Sequence, residues 1–167
     1  MWTAPPVLAR AWLRVVGWLE ALQPLALLAA RLYVARAFFL SGLTKIRDWE
    51  TTLALFADEY HVPLLPPELA AVAGTTGELV LPVLLALGVA GRFGAMGLFV
   101  LNIVAVLSLQ EIADAALQQH VFWGSLLAGL ILWGPGRWSV DRFIAPRFLG
   151  AADAALPMPR TSGSATR

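Results

Sequence analysis

Residues 69–110 read LAAVAGTTGELVLPVLLALGVAGRFGAMGLFVLNIVAVLSLQ, and this run decides the fold. Its only charges are Glu78 and Arg92. A helix that crosses the hydrocarbon layer needs roughly 20 mostly apolar residues at about 1.5 Å each. The run holds two such lengths, 69–90 and 93–110, with Gly91-Arg92 as a tight turn between them. Working outward, 117–133 is a third apolar length and ends in Gly134-Pro135-Gly136, which a helix does not pass easily. Upstream, 25–43 is a fourth. Gln23-Pro24 reads as its start, because proline in a first turn sacrifices no hydrogen bond.

Composition supports the same class. The chain has 167 residues, 59% hydrophobic and only 14% charged, with a mean hydropathy of +0.71. Soluble domains carry about a quarter of their residues charged, and a chain this short cannot bury so much apolar surface in one globular core. The net charge of +1 gives no basic face for nucleic acid. With no cysteine, the chain alone supplies no disulfide exchange, thiolate nucleophile or cysteine-held metal. The expected fold is an all-α membrane protein, a bundle of four transmembrane helices.

Orientation follows from the basic residues. Arg10, Arg14, Arg92, Arg137, Arg142, Arg147, Arg160 and Arg167 fall on one side, and Lys45 and Arg47 on the other among Asp48, Glu50, Asp58, Glu59 and Glu68. The arginine-rich side is expected in the cytoplasm, with both termini. Residues 1–24 form the first region. Leu8, Trp12, Val15, Leu19 and Leu22 repeat at helical spacing there, with Arg10 and Arg14 one turn apart, which predicts a helix lying in the cytoplasmic interface. No charge-free apolar core precedes a small-residue cleavage site, which counts against a cleaved signal peptide. Residues 25–144 form the bundle. Within them Trp49, Leu53, Phe56 and Tyr60 predict a short amphipathic periplasmic helix capped by Asp48, followed by an extended segment through Val62-Pro63-Leu64-Leu65-Pro66-Pro67. Trp138-Ser139-Val140-Asp141 is expected to open a short cytoplasmic helix. Residues 145–167, dominated by Ala, Pro, Ser, Gly and Thr, are expected to be a largely disordered cytoplasmic tail.

Charges inside the spans need an explanation, since each costs about 2.5–3.5 kcal/mol at the bilayer centre on insertion scales. Counting from a start at residue 25 puts Arg36 roughly 17 Å deep, level with Glu78 of the second span and Asn102 of the third. Ser125 falls near the same layer. Pro82 removes the hydrogen bond that the Glu78 carbonyl would accept, so the second span is expected to kink there, with Thr75 and Thr76 near enough to re-satisfy the backbone. Two readings stand: a structural Arg36–Glu78 ion pair that fixes register, or a site in which Glu78 titrates and Arg36 is its counter-ion. Arg31 reads as a snorkelling side chain reaching cytoplasmic headgroups; it also leaves one positive charge beyond what Glu78 neutralises, which suits an anionic or carbonyl-bearing ligand. A second polar set gathers at the periplasmic face: Lys45, His61, Gln110, Glu111, Gln119 and His120, with Trp123 one turn beyond His120. His61 and His120 with Glu59 or Glu111 could be metal ligands by type, but no two stand at a recognised ligand spacing, and no metal site is assigned. The tryptophans mostly fall at span ends, as an aromatic belt does.

Arg31-Leu32, then Phe38-Phe39-Leu40-Ser41-Gly42-Leu43-Thr44-Lys45, and then Tyr60-His61-Val62-Pro63-Leu64-Leu65-Pro66-Pro67 resemble signatures of the DoxX family of small bacterial membrane proteins. Gly77-Glu78-Leu79 with Pro82, Leu87-Gly88 leading to Arg92, His120 with Trp123-Gly124, and Trp133-Gly134-Pro135-Gly136 ending in Ser139 and Asp141 continue the resemblance in order over about residues 28–144. The resemblance implies a four-helix bundle in the bacterial inner membrane and a membrane subunit of a quinone-linked redox system, its electrons coming from a protein partner. On that reading a quinone headgroup meets Arg36 and Asn102 as donors and Glu78 as the proton-moving group, with Arg31 beside them. Lys45, His120 and Trp123 form the second candidate set for the same ligand. The competing expectation is a non-catalytic anchor or accessory protein for metal or small-molecule handling; a small transporter is the third.

Overall fold

The computed structural model describes residues 6–144, so the expected disordered tail at 145–167 lies outside the described residues. Five helices follow in order: α1 Pro6–Arg47, α2 Trp49–Asp58, α3 Pro67–Leu87, α4 Gly91–Ser108 and α5 Asp114–Trp133. No strand occurs among the described residues, only one isolated bridge between Tyr60 and Leu109. α1, α3, α4 and α5 are each long and apolar enough to cross a membrane. α1 packs on α3, α3 on α4, α4 on α5, and α5 back on α1, closing a four-helix ring that α2 overlies at one end through α3 and α1.

The ring's interior is a cluster of Val34, Phe38, Leu85, Ala95, Leu98, Leu127 and Leu130, drawn from all four long helices. Its exterior is equally apolar: Val80, Val83, Val100, Ile103, Val121, Phe122 and Leu132 all face outward. A helix apolar on every side suits a lipid solvent, in which the backbone satisfies itself internally. A smaller cluster of Phe56, Ala70 and Ala71 seats α2 on α3. Asp48 caps α2 as expected, accepting from the Thr51 backbone N–H at 3.0 Å.

Three local expectations are corrected. α1 does not begin at Pro24; it runs through Pro24 as one helix of 42 residues, about 63 Å long. The missing N–H of Pro24 costs one hydrogen bond, which the flanking Leu- and Ala-rich turns outlast. The segment before α3 is not extended throughout, because the chain turns at Pro63-Leu64 with Leu64 at φ 68°. Thr75, expected to re-satisfy the backbone near Pro82, instead buries its hydroxyl without a partner. After α5, helix resumes at Asp141, within the stretch expected to be helical.

The α3–α4 turn is built on Gly88, which ends α3 at φ 68°. A Cβ there would sit 2.5 Å from that of Ser139, so only glycine lets the residues after α5 close over the turn. Asp141 then accepts from the Ala90 and Gly91 N–H groups at 2.7 and 2.8 Å, capping α4 from 50 residues away.

A candidate ligand site inside the bundle

Arg31 is 1% exposed, against the expected snorkelling. It donates to the carbonyls of Pro135 (2.5 Å), Ala86 (3.2 Å) and Trp138 (2.8 Å). Ala86 lies in the last turn of α3, where carbonyls lack helical partners and the helix dipole favours a cation. Arg31 therefore marks one end of the ring, and the part of α1 before about residue 20 continues past it with Trp12, Leu13, Trp18 and Leu19 exposed.

That placement resets the depth of everything on α1. With the ring's end near residue 31 rather than 25, the residue level with Glu78 moves from 36 to 42. Gly42 does pack on Glu78: a Cβ on it would lie 3.1 Å from the Glu78 Cβ and 2.9 Å from Leu79. This close approach brings Lys45 over the acid, and Lys45 Nζ meets Glu78 Oε2 at 2.5 Å while also donating to Ser41 Oγ at 3.1 Å. Arg36 is exposed instead. Nine residues separate it from Lys45, half a turn out of phase at 3.6 residues per turn. The expected Arg36–Glu78 pair does not form.

Lys45 and Glu78 line a partly open cavity of about 540 Å³ bordered by residues of all five helices and the α2–α3 loop. Its walls are mostly apolar, with Phe38, Phe56, Val62 and Leu101 prominent. Tyr60, Ser108, His120 and Trp123 add polar edges. The His61 backbone N–H donates to Ser108 O at 2.8 Å, pinning the loop to the end of α4 and hanging Tyr60 beside the cavity. Burial, then the charges of Glu59 and Glu78, raise the Tyr60 phenol above its ordinary range and keep it a neutral donor.

His120 is fixed by Asn102. The Asn102 amide nitrogen donates to the His120 carbonyl at 3.0 Å, which turns its oxygen toward His120 Nδ1 at 2.8 Å. An amide oxygen only accepts, so Nδ1 carries the proton and Nε2 of the neutral ring is left as an acceptor. Trp123 packs edge-on to His120 at 5.2 Å and against Phe38 at 5.6 Å. Its indole N–H is buried without an acceptor.

Of the residues singled out by sequence, the structure thus joins Glu78, Lys45, His120 and Trp123 around one cavity, with Asn102 behind His120. Arg31 and Arg36 lie elsewhere, and Ser125 turns outward to bond the Val121 carbonyl. His61, Gln110 and Glu111 are exposed; Gln119 donates to Tyr33. Among the described residues no three His, Asp or Glu side chains gather as a metal site would require. Tyr60 is the member not singled out as a site residue: it entered only through its helical spacing and as the first residue of the DoxX-like stretch to Pro67, and neither places it in a loop tied back to α4.

A ring of four spanning helices around a mostly apolar, polar-edged cavity defines a multi-pass membrane protein with an internal site. A family model described as DoxX matches residues 26–111. An uncharacterized protein of Haemophilus influenzae is 31% identical over 126 residues, which cover 71% of this chain and 83% of the relative. The chain belongs to the DoxX family. No solved structure matches it.

Proposed function

We propose that the cavity binds a lipophilic, carbonyl-bearing ligand of quinone type, and that the protein is the membrane subunit of a redox system. The observation that carries this reading is the Trp123 indole N–H, buried at the cavity without an acceptor. An unpaired buried donor costs about 1–3 kcal/mol, and a ligand carbonyl is the acceptor that removes that cost. The cavity's volume is that of an ordinary small-molecule pocket, its apolar walls suit a ring and tail, and its polar edges suit a headgroup. A bound quinone would supply two-electron, two-proton chemistry. Trp123 and Lys45 orient its carbonyls, Glu78 holds and releases a proton, and His120 Nε2 accepts from a ligand hydroxyl. Electrons are assigned to a protein partner, since the chain has no cysteine to carry them. The arginine-rich end, with Arg92, Arg137 and Arg142, lies in the cytoplasm of a bacterial inner membrane on this reading.

The Lys45–Glu78 pair favours a second reading, because two opposite charges already in contact can serve as a register lock alone. Native mass spectrometry of the protein extracted gently from its own membrane separates the two. Wild type should carry a quinone-sized adduct that Trp123→Phe and Glu78→Gln lose while remaining folded. A bare chain in all three, with Glu78→Gln less stable, makes the pair structural and the protein a non-catalytic accessory.

A further inference from the structure

A second cleft, of about 370 Å³, opens between the end of α1 and α2, and it shares Ser41, Lys45, Phe56 and Tyr60 with the ligand cavity. Its remaining wall is Leu55 with four oxygen-bearing side chains, Thr44, Asp48, Thr51 and Thr52. Each threonine hydroxyl is already spent as a donor. Thr44 bonds Leu40 O at 3.0 Å, Thr51 bonds Asp48 Oδ2 at 2.7 Å, and Thr52 bonds Lys45 O and Asp48 O at 3.0 and 2.9 Å. What the wall offers inward is oxygen lone pairs, with Asp48 exposed on it and the Lys45 ammonium between the cleft and the cavity. Oxygen acceptors of this kind are what ordered water bonds to.

Glu78 is faced by Lys45 on α1, Tyr60 in the α2–α3 loop and His120 on α5, and α4 contributes no titratable side chain to the cavity. Of these only Lys45 and Tyr60 also line the cleft, and only Lys45 touches Glu78. We propose that the α1–α2 cleft is the aqueous proton route to the site, with Lys45 as the relay between cleft water and Glu78. In each transfer an N–H bond of the Lys45 ammonium breaks and an O–H bond forms on Glu78. The neutral amine then takes a proton from hydronium in the cleft, so one proton passes from water to Glu78. The route rests on reading the cavity as a proton-coupled ligand site, but it is tested without any ligand.

The natural chain has no cysteine, so a single introduced cysteine is its sole thiol. In full-length protein in sealed membranes, a charged, impermeant thiosulfonate reagent added on the α2 side should modify Thr51→Cys, Thr44→Cys and the deeper Ser41→Cys. Val80→Cys, on the outer flank of α3 and away from both the cleft and the cavity, should stay unmodified until the protein is denatured. A second measurement follows the proton itself. After a drop in pH on that side, the carboxylic C=O infrared band of Glu78, identified by its absence in Glu78→Gln, should rise at least tenfold more slowly in Thr44→Trp, which fills the cleft. Failure of the reagent to reach folded Ser41→Cys and Thr44→Cys overturns the proposal. So does a band whose rise Thr44→Trp leaves unchanged. Loss of the quinone reading would appear in the mass spectrum alone, and loss of the proton route in these two readouts alone.

Discussion

At the residue scale, the contrast between the arginines of α1 shows what sequence can and cannot carry. A buried arginine and a snorkelling one have the same signature, a cation within an apolar run. Arg31 differs because its acceptors are backbone carbonyls 55 to 107 residues away, which no side-chain pattern announces. Glu78 was legible as a group needing a partner, but its partner depended on depth, and depth depended on where α1 meets the end of the ring. Lys45, His120 and Trp123 were legible as a polar set because they cluster near span ends; that Glu78 belongs with them was not. Arg31→Met should leave carbonyls of Pro135 and Trp138 short of a donor, at about 1–3 kcal/mol for each one that stays buried. Thermal unfolding in detergent should show a lower midpoint, with the adduct seen by native mass spectrometry retained below it, since the cavity is at the other end of the ring.

At the element scale, three of the four spans lie within three residues of their expected starts and ends, because a hydrophobic run bounded by Gly, Pro or charge leaves little freedom. α1 departs from that rule. Pro24 reads as a start signal only if the helix stops before it, and here the helix that begins at Pro6 runs straight through it. The α3–α4 turn depends on a backbone conformation more than on hydrophobicity. Gly88→Ala forces a side chain into the left-handed region and against Ser139, so it should destabilise the protein by more than about 1 kcal/mol. Chemical denaturation against Gly74→Ala, where the nearest atom beyond the new methyl is 3.6 Å away, checks the number.

At the scale of the whole molecule, the ring has two different ends. One holds Arg31, the Asp141 cap and the closing turn after α5; the other holds α2, the cavity and the cleft. Placing the first in the cytoplasm makes a direct prediction. A phosphatase reporter that is active only outside the cytoplasm should be silent when joined after residue 144 and active when inserted at Leu64, whose side chain is fully exposed. The reverse pattern would invert the orientation and put the cleft on the cytoplasmic face.

The Arg31 contacts also say something about the order in which the protein is made. α1 enters the bilayer with its cation early in synthesis, yet the Pro135 and Trp138 carbonyls that hold it emerge more than 100 residues later. Until then the first helix has no complete seat, and its neighbours can pack only provisionally around it. A turn made only after all four spans therefore fastens the first of them, so a nascent protein that stalls before residue 135 stays an open bundle.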